Sequence, residues 1–219
     1  MTISKQAIKS EQTRKLILDS AIRCFIDFGY CRTTTAMIAQ YADVSRGAMM
    51  HHFPSRASVL ESTIEHIHQI RLAEYRRLMS NIGDVSGGMT RAAIERCIER
   101  TWQYVNLPAS IAFMEVVTAS RTDKDLQAIL QPLVDEFERH FLSLIRVLFP
   151  QWQDSQLLET AHDLVHLPLL GMVSSPLQVI DQKRIDQVLS ALADNIEAMY
   201  ALANLSSKKE ELTQDVVEV

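Results

Sequence analysis

Apolar residues recur at steps of three and four along almost the whole chain, which is the spacing that places side chains on one face of an α-helix. No segment alternates apolar and polar residues with period two, and no Asn-Gly or Asp-Gly pair marks a β-hairpin. The pattern is strongest after Asp123, a residue type that caps helix N-termini, at Leu126, Ile129, Leu130, Leu133, Phe137, Phe141, Leu144, Ile145 and Leu148. The sequence therefore predicts an all-α fold of about nine helices.

The composition is that of an ordered globular protein. The 219 residues are 47% hydrophobic and 22% charged, which suffices for one domain or two small ones. The three cysteines have no Cys-x-x-Cys spacing, as is typical of a reducing compartment. The start of the chain is polar, and the longest nearly apolar stretch, 164–173, is about half as long as a bilayer span requires. We expect a cytoplasmic protein without a membrane-spanning segment.

Formal charge is divided unevenly along the chain. The whole chain carries −5, but residues 1–60 hold eight Lys and Arg against four Asp and Glu, a balance of +4. The remaining residues hold 14 basic and 23 acidic side chains, a balance of −9. A small basic module joined to a larger acidic one indicates that residues 1–60 are the part that meets a polyanion such as nucleic acid.

Two short predicted helices in this basic module are joined by residues 41–45. Thr33 and Thr34 can cap the first helix, and Ser45 can cap the second. Asp43, in the joining turn, is one of the few non-glycine residue types that adopt a left-handed backbone conformation at low cost. This arrangement predicts a helix-turn-helix, in which the second helix enters the major groove of DNA.

The first turn of the second helix carries the residues that we expect to meet DNA. Backbone amides and a cation there can face phosphates or base edges. Arg46 is the best candidate for a base contact, because an arginine can bind guanine through two hydrogen bonds. The small residues beside Arg46 permit close approach of the DNA. The four residues of this turn are Ser45, Arg46, Gly47 and Ala48.

A dense set of residues between positions 14 and 60 follows the pattern of a known family. These residues are Gly29, Tyr30, Thr33, Thr34, Ile38, Ala39, Ala42, Val44, Ser45, Gly47, His51, His52, Phe53, Ser55, Arg56 and Leu60. Together they resemble the N-terminal signature of the TetR/AcrR family of repressors. The resemblance implies a three-helix DNA-binding domain with a helix-turn-helix, followed by a larger helical ligand-binding and dimerisation domain. Asp43 stands where that family usually has Gly, Met50 where it usually has a phosphate-contacting Tyr, and Arg56 where Lys is common.

The resemblance also implies a set of DNA contacts. Phosphates would be contacted by two threonines at the start of the first motif helix, and base edges by Arg46 and Ala48. The two adjacent histidines and Arg56 would lie near the DNA backbone. The complete predicted set is Thr33, Thr34, Ser45, Arg46, Gly47, Ala48, Met50, His51, His52 and Arg56.

Three parts of the chain are predicted. Residues 9–56 form the DNA-binding domain, residues 57–205 form the effector-binding and dimerisation domain, and the polar residues 206–219 form a disordered tail. In the TetR/AcrR family, which this sequence resembles, the last two helices of each protomer form a four-helix dimer interface. The corresponding helices are predicted here at 154–173 and 181–204. Small residues that suit close helix packing there are Gly171, Ala191, Ala198 and Ala203. A homodimer would present two reading helices to a palindromic operator.

An effector pocket is expected between the long helix that begins at Ser55 and the helices that follow it. The apolar candidates suit an apolar or amphipathic ligand. The two arginines among them, if they face the pocket, would favour an acidic group on that ligand. The candidates are Ile67, Ile70, Arg71, Trp102, Phe113, Met114, Thr118, Arg121 and Phe137.

The favoured interpretation is a cytoplasmic, non-enzymatic transcriptional repressor. A small apolar or amphipathic effector would release it from a double-stranded DNA operator, with no cofactor, metal ion or catalytic residue. An activator would use the same reading helices. Two hypotheses from different functional classes stay open: a redox switch at one of the three cysteines, and an all-helical metal-dependent hydrolase built on His66 with His68 and His162 with His166.

Overall fold

In the computed structural model, the described residues are 5–80, 82, 90–148, 155–174 and 181–217, with side chains described up to residue 202. Over these residues the chain forms nine α-helices and no β-strand, which confirms the predicted fold class. The helices are α1 (Lys5–Phe28), α2 (Thr35–Tyr41), α3 (Arg46–His52), α4 (Arg56–Met79), α5 (Arg91–Val105), α6 (Pro108–Ser120), α7 (Lys124–Leu148), α8 (Ser155–Val173) and α9 (Gln182–Val217). Among the described helices, none combines the length and the apolarity needed to cross a bilayer.

Local signals explain where several of these helices begin and end. After α1, Gly29 adopts a φ of 79°, and its N–H donates to the carbonyl oxygen of Phe25 over 2.9 Å. Before α4, Ser55 and Ser58 each accept a hydrogen bond from the other's backbone N–H, at 3.0 and 3.1 Å. The side chain of Asp123 accepts from the N–H of Leu126 over 3.0 Å and so caps α7, as predicted.

The helices divide into two compact units. The first unit contains residues up to Tyr75 together with Asn106–Phe141, and in it α1 packs against α2 and α6 while α2 packs against α3. Its core is continuous, since the apolar faces of these helices meet around one cluster of buried side chains. The side chains in this core with 0% exposure include Ile17, Ala21, Cys24, Phe25, Ile38, Met49, Val59, Ile64, Ile67, Ala112 and Val116.

The second unit contains Arg76–Val105 and the chain from Leu142 onward. Within it α5 packs against both α8 and α9. Arg91 on α5 reinforces this packing, because its guanidinium donates to the carboxylates of Asp194, at 2.5 Å, and Glu197, at 3.1 Å, both on α9. Residues 81 and 83–89, between α4 and α5, lie outside the described residues.

The C-terminal helix is longer than the sequence predicts. The predicted helix ends near residue 204 and is followed by a disordered tail at 206–219, but α9 continues to Val217. The segment contains no glycine or proline and is rich in Lys, Glu and Gln, which have high helix propensity, so nothing in its composition stops the helix. The tail prediction is therefore wrong for residues 206–217. The predicted domain limits 9–56 and 57–205 stay predictions.

Candidate nucleic-acid interface

The turn between α2 and α3 is set by the backbone of Asp43. Its φ of 51° lies in the left-handed region, as predicted from the residue type. The N–H of Asp43 donates to the carbonyl oxygen of Gln40 over 3.2 Å, and that of Val44 donates to Ala39 over 3.0 Å. Ala42 is 2% exposed, so the turn packs closely against the core. These bonds fix the direction in which α3 leaves α2.

The sequence determines which face of α3 is inward. Ser45 is the N-cap, and its hydroxyl oxygen accepts from the N–H of Ala48 over 3.1 Å. Met49 and Phe53 are 0% and 1% exposed, so they anchor the helix in the core of the first unit. The remaining side chains of α3 therefore face outward, and those classed as exposed are Arg46, Gly47, Ala48, Met50 and His51.

This outward face has the properties that a DNA-reading surface requires. Arg46 presents a guanidinium, and the two small residues beside it leave space for a closely approaching partner. A Cβ built on Gly47 would meet no atom nearer than the Ser45 hydroxyl oxygen at 4.0 Å. Gly47 is thus not required by packing inside this chain, and a larger side chain there would project outward.

The two histidines at the end of α3 differ in environment. The His51 ring is exposed and the His52 ring is half-buried. Their centroids lie 5.5 Å apart with an interplanar angle of 83°, an edge-to-face arrangement. Both remain candidates for contacts with the DNA backbone, and His51 is the more accessible of the two.

The two threonines that were predicted to contact DNA phosphates lie in different environments. Thr34 is exposed and is the N-cap of α2, and its hydroxyl oxygen accepts from the N–H of Met37 over 3.3 Å. Thr33 is 0% exposed, and its hydroxyl donates to the carbonyl oxygen of Gly29 over 2.9 Å. The prediction that the Thr33 side chain contacts a phosphate is therefore wrong, because this side chain closes the turn after α1 instead.

Two arginines of α1 support the motif, and sequence reasoning counted them only as positive charge. The Arg14 guanidinium lies 4.5 Å from the centroid of the Phe53 ring and donates to the Ser62 hydroxyl oxygen over 3.3 Å. The Arg23 guanidinium donates to the carbonyl oxygen of Tyr41 over 3.1 Å. Both arginines lie on α1, and their helical phase relative to the buried face of α1 is the sequence signal that could have placed them against α2 and α3.

The predicted effector residues are brought together only in part. Arg71 is 7% exposed, and its guanidinium carbon lies 3.7 Å from the ring centroid of Phe113 and 4.8 Å from that of Phe137. Ile67 is fully buried one turn earlier on α4, and Ile70 and Met114 are half-buried. The cation is therefore held between two aromatic faces inside the first unit.

Three of the effector candidates do not join this group. Thr118 and Arg121 are exposed at the end of α6, so they lie apart from the buried side chains around Arg71, and their contact with an effector stays a prediction. Their positions follow from helix phase, because α6 turns Phe113 and Val116 inward. Trp102 lies on α5, which belongs to the second unit.

A buried histidine, which sequence reasoning considered only as a metal ligand, adjoins Arg71. His68 is 0% exposed, and its Nε2 lies 3.0 Å from Oε2 of Glu136. Burial lowers the pKa of His68 below its usual value, and the hydrogen bond to Glu136 opposes that shift without cancelling it. His68 is therefore neutral near pH 7. We call His68, Arg71, Phe113, Glu136 and Phe137 the Arg71 cluster.

The histidine pairs do not form a metal site in the described part of the chain. Nε2 of His66 lies 2.8 Å from Asp19, whereas His68 faces Glu136, so this pair is divided between two carboxylates. The rings of His162 and His166 stack with centroids 5.0 Å apart. No group of three His, Cys, Asp or Glu side chains suited to a metal ion occurs among the described residues. The hydrolase hypothesis has no support.

The cysteines give little support to the redox hypothesis. All three are free thiols. Burial raises the pKa of Cys24 to about 11 and that of Cys97 to about 12, which disfavours the reactive thiolate at both positions. Only Cys31 is exposed.

The capped helices, the left-handed turn and the exposed basic face of α3 define a helix-turn-helix protein. Residues 17–63 match the family described as bacterial regulatory proteins, tetR family. The HTH-type transcriptional regulator TtgR of Pseudomonas putida is 36% identical over 61 residues. That match covers 28% of this chain and 29% of TtgR, so it spans less than a third of this relative.

Solved structures match over most of the chain. A transcriptional regulator from Saccharomonospora viridis in complex with choline superposes with a TM-score of 0.62 and 20% identity, covering 85% of this chain and 96% of that one. The multidrug binding protein EbrR complexed with imidazole gives a TM-score of 0.56 and 15% identity, covering 82% and 93%. At such identities the likeness establishes the fold. The N-terminal part of the chain therefore matches the tetR family of bacterial regulatory proteins, and the solved structures show the same fold over most of the chain.

Proposed function

We propose that this protein is a DNA-binding transcriptional regulator that acts as a homodimer on a palindromic operator and is released by a small effector. Repression is the favoured mode, since release by an effector then switches transcription on. The single observation that carries the proposal is the geometry of α3. Met49 anchors the helix from inside, and Arg46, Gly47 and Met50 are left on an exposed face.

The charge distribution supports nucleic acid as the partner. Residues 1–60 carry +4, whereas the whole chain carries −5. A net positive charge in the helix-turn-helix part attracts phosphates there, and the remainder, which is acidic on balance, does not compete for them. The DNA contacts that we propose are those of the predicted set without the side chain of Thr33.

Exposed apolar side chains on the last two helices support dimerisation. Leu164 and Leu167 on α8 are 45% and 61% exposed, and Leu202 on α9 is 65% exposed. Gly171 is exposed, and a Cβ built on it would meet no atom within 4 Å. Ala191 and Ala198 are also exposed, whereas the Ala203 side chain lies outside the described residues. A second copy of the chain would cover this surface.

The Arg71 cluster is our proposed effector site. A buried guanidinium and a buried neutral imidazole are costly in a protein core, and such groups concentrate at functional sites. Two aromatic faces there suit an apolar or amphipathic molecule. The complexes of similar folds with choline and with imidazole support a small-molecule effector.

We further propose that the protein is not an enzyme and works in the cytoplasm.

Selection of bound duplexes from a random DNA pool, at moderate salt, tests the proposal. We expect the purified full-length protein to recover a palindromic motif with two half-sites about one helical turn apart. Gly47→Glu is the decisive variant, because the open space around Gly47 accepts a side chain that places a carboxylate towards the phosphates. It should fold normally and recover no motif.

Two matched variants complete this experiment. Ala128→Glu adds the same charge at an exposed position of α7 and should recover the motif. Gly171→Glu adds it to the proposed dimer surface and should yield monomers in sedimentation, with loss of the palindrome. Failure of the wild-type protein to enrich any motif would contradict the proposed function.

A further inference from the structure

The exposed face of α3 carries one large apolar side chain. Met49 is 0% exposed, and the next residue, Met50, turns outward and is 39% exposed. Arg46 lies four positions before Met50, so the two side chains occupy the same strip of the helix surface. Among the exposed large apolar side chains of the described residues, Met50 is the one that α3 contributes. An apolar group therefore stands beside the cation on the outward face of the helix.

The chemistry of the major groove limits what such a group can recognise. Each base pair presents hydrogen-bond donors and acceptors there, and thymine alone adds an apolar group, its C5 methyl. A methionine side chain offers no donor and only a weak acceptor. Placed over the amino group of adenine or cytosine, it would displace water without replacing the hydrogen bond. Placed over a thymine methyl, it buries apolar surface, and its flexible thioether adapts to the fit.

We infer that Met50 reads the methyl group of a thymine in each operator half-site. This inference rests on the proposed function and specifies the sequence class of the operator. Four residues along a helix advance by about 6 Å, and base pairs are spaced about 3.4 Å apart along one strand. The thymine read by Met50 therefore lies one or two base pairs from the guanine bound by Arg46.

Deoxyuridine provides a sharp test, because it differs from thymidine only in lacking this methyl group. Each thymine of the selected operator is replaced singly, and dissociation constants are measured for the wild-type protein at one fixed salt concentration. We expect replacement at one position per half-site, near the Arg46 guanine, to weaken binding about fourfold, the factor for one buried methyl-sized group. Met50→Ala should weaken binding to the thymine operator and should be insensitive to replacement at that position.

The control variant is Arg46→Ala, which should bind more weakly but keep the sensitivity to deoxyuridine at the Met50 position. The inference is overturned if no thymine near the Arg46 guanine is sensitive in the wild-type protein. It is also overturned if Met50→Ala keeps the same sensitivity as the wild type. Either result leaves the operator, and with it the proposed function, intact, whereas the absence of any selected motif removes both.

Discussion

The Nε of Arg56 donates a hydrogen bond to the backbone carbonyl oxygen of Thr33 over 3.2 Å. This bond joins the first turn of α4 to the residue that precedes the N-cap of α2. Arg56 therefore has a structural role within the chain in addition to its proposed contact with the DNA backbone. The two roles use different properties of the side chain, namely donor geometry and charge.

Two substitutions of Arg56 separate these roles. Arg56→Lys keeps the charge but loses the planar donor, so it should lower the free energy of unfolding by about 1 kcal/mol and leave the salt dependence of DNA binding unchanged. Arg56→Gln should reduce the slope of log affinity against log salt by about 0.9 for each half-site. Binding titrations over a series of salt concentrations measure this slope. An unchanged slope in Arg56→Gln would exclude the phosphate contact.

The left-handed backbone of Asp43 predicts opposite effects for two replacements. Asp43→Gly should leave the protein as stable or more stable, by up to about 1 kcal/mol, because glycine adopts φ of 51° without strain. Asp43→Val should destabilise it by about 2 kcal/mol, because a β-branched residue is strongly disfavoured there. Urea denaturation followed by circular dichroism measures both. Equal stability of the two variants would contradict the observed turn.

The buried imidazole of His68 makes stability depend on pH. Its pKa is lowered in the folded protein by burial, so the unfolded chain takes up a proton first as the pH falls below about 6.5. The contribution of His68 to stability is therefore complete above that pH and is lost between it and the lower folded pKa. Burial also lowers the pKa of His162, so both histidines contribute to the pH dependence of the wild-type free energy of unfolding.

Unfolding measurements between pH 5 and 7.5 isolate the part due to His68. His68→Gln should flatten the pH dependence by up to one proton equivalent, about 1.4 kcal/mol per pH unit. His51→Gln removes an exposed imidazole instead and serves as the matched control. A His68→Gln profile parallel to the wild type would mean that the pKa of His68 is the same in the folded and unfolded protein, and would contradict the lowering by burial.

The contact between Arg71 and Phe113 predicts energetic coupling inside the Arg71 cluster. The guanidinium carbon lies 3.7 Å from the ring centroid, and both residues are buried, so the cation–π interaction is shielded from water. A double-mutant cycle with Arg71→Met and Phe113→Leu should give a coupling energy of about 1–2 kcal/mol in unfolding. Additive effects of the two substitutions would mean that the contact contributes nothing to stability.

Helical periodicity and cap residues were sufficient to predict the all-α fold, and residue type was sufficient to predict the turn at Asp43 and the cap at Ser45. These features depend on interactions within a few residues, which a sequence displays directly. The burial of Thr33 was not predictable in this way. Thr33 and Thr34 are the same residue type, and only the fold distinguishes them: Thr33 is buried and donates to Gly29, whereas Thr34 is exposed and caps α2.

The contacts that cross between helices were also beyond the sequence pattern. Periodicity assigns a side chain to a face only to within a neighbour or two, so Arg121 could not be separated from Arg71 as a pocket residue. For the same reason the sequence showed Arg14 and Arg23 only as basic charges. In the structure Arg14 packs against Phe53, and Arg23 donates a hydrogen bond to Tyr41. Long-range contacts decide these cases.

The central claim, that the exposed face of α3 reads DNA sequence, is tested most directly by a ratio of affinities. Dissociation constants are measured for the selected operator and for a scrambled duplex, at the same salt, with wild type, Arg46→Ala and Arg139→Ala. Arg139 is an exposed cation on α7 that controls for the loss of one positive charge. We predict that Arg46→Ala lowers the ratio at least tenfold, since each of the two half-sites loses a bidentate arginine contact that contributes about 1–3 kcal/mol of discrimination, while Arg139→Ala leaves it unchanged. A wild-type ratio retained by Arg46→Ala would contradict the assignment of α3 as the reading helix.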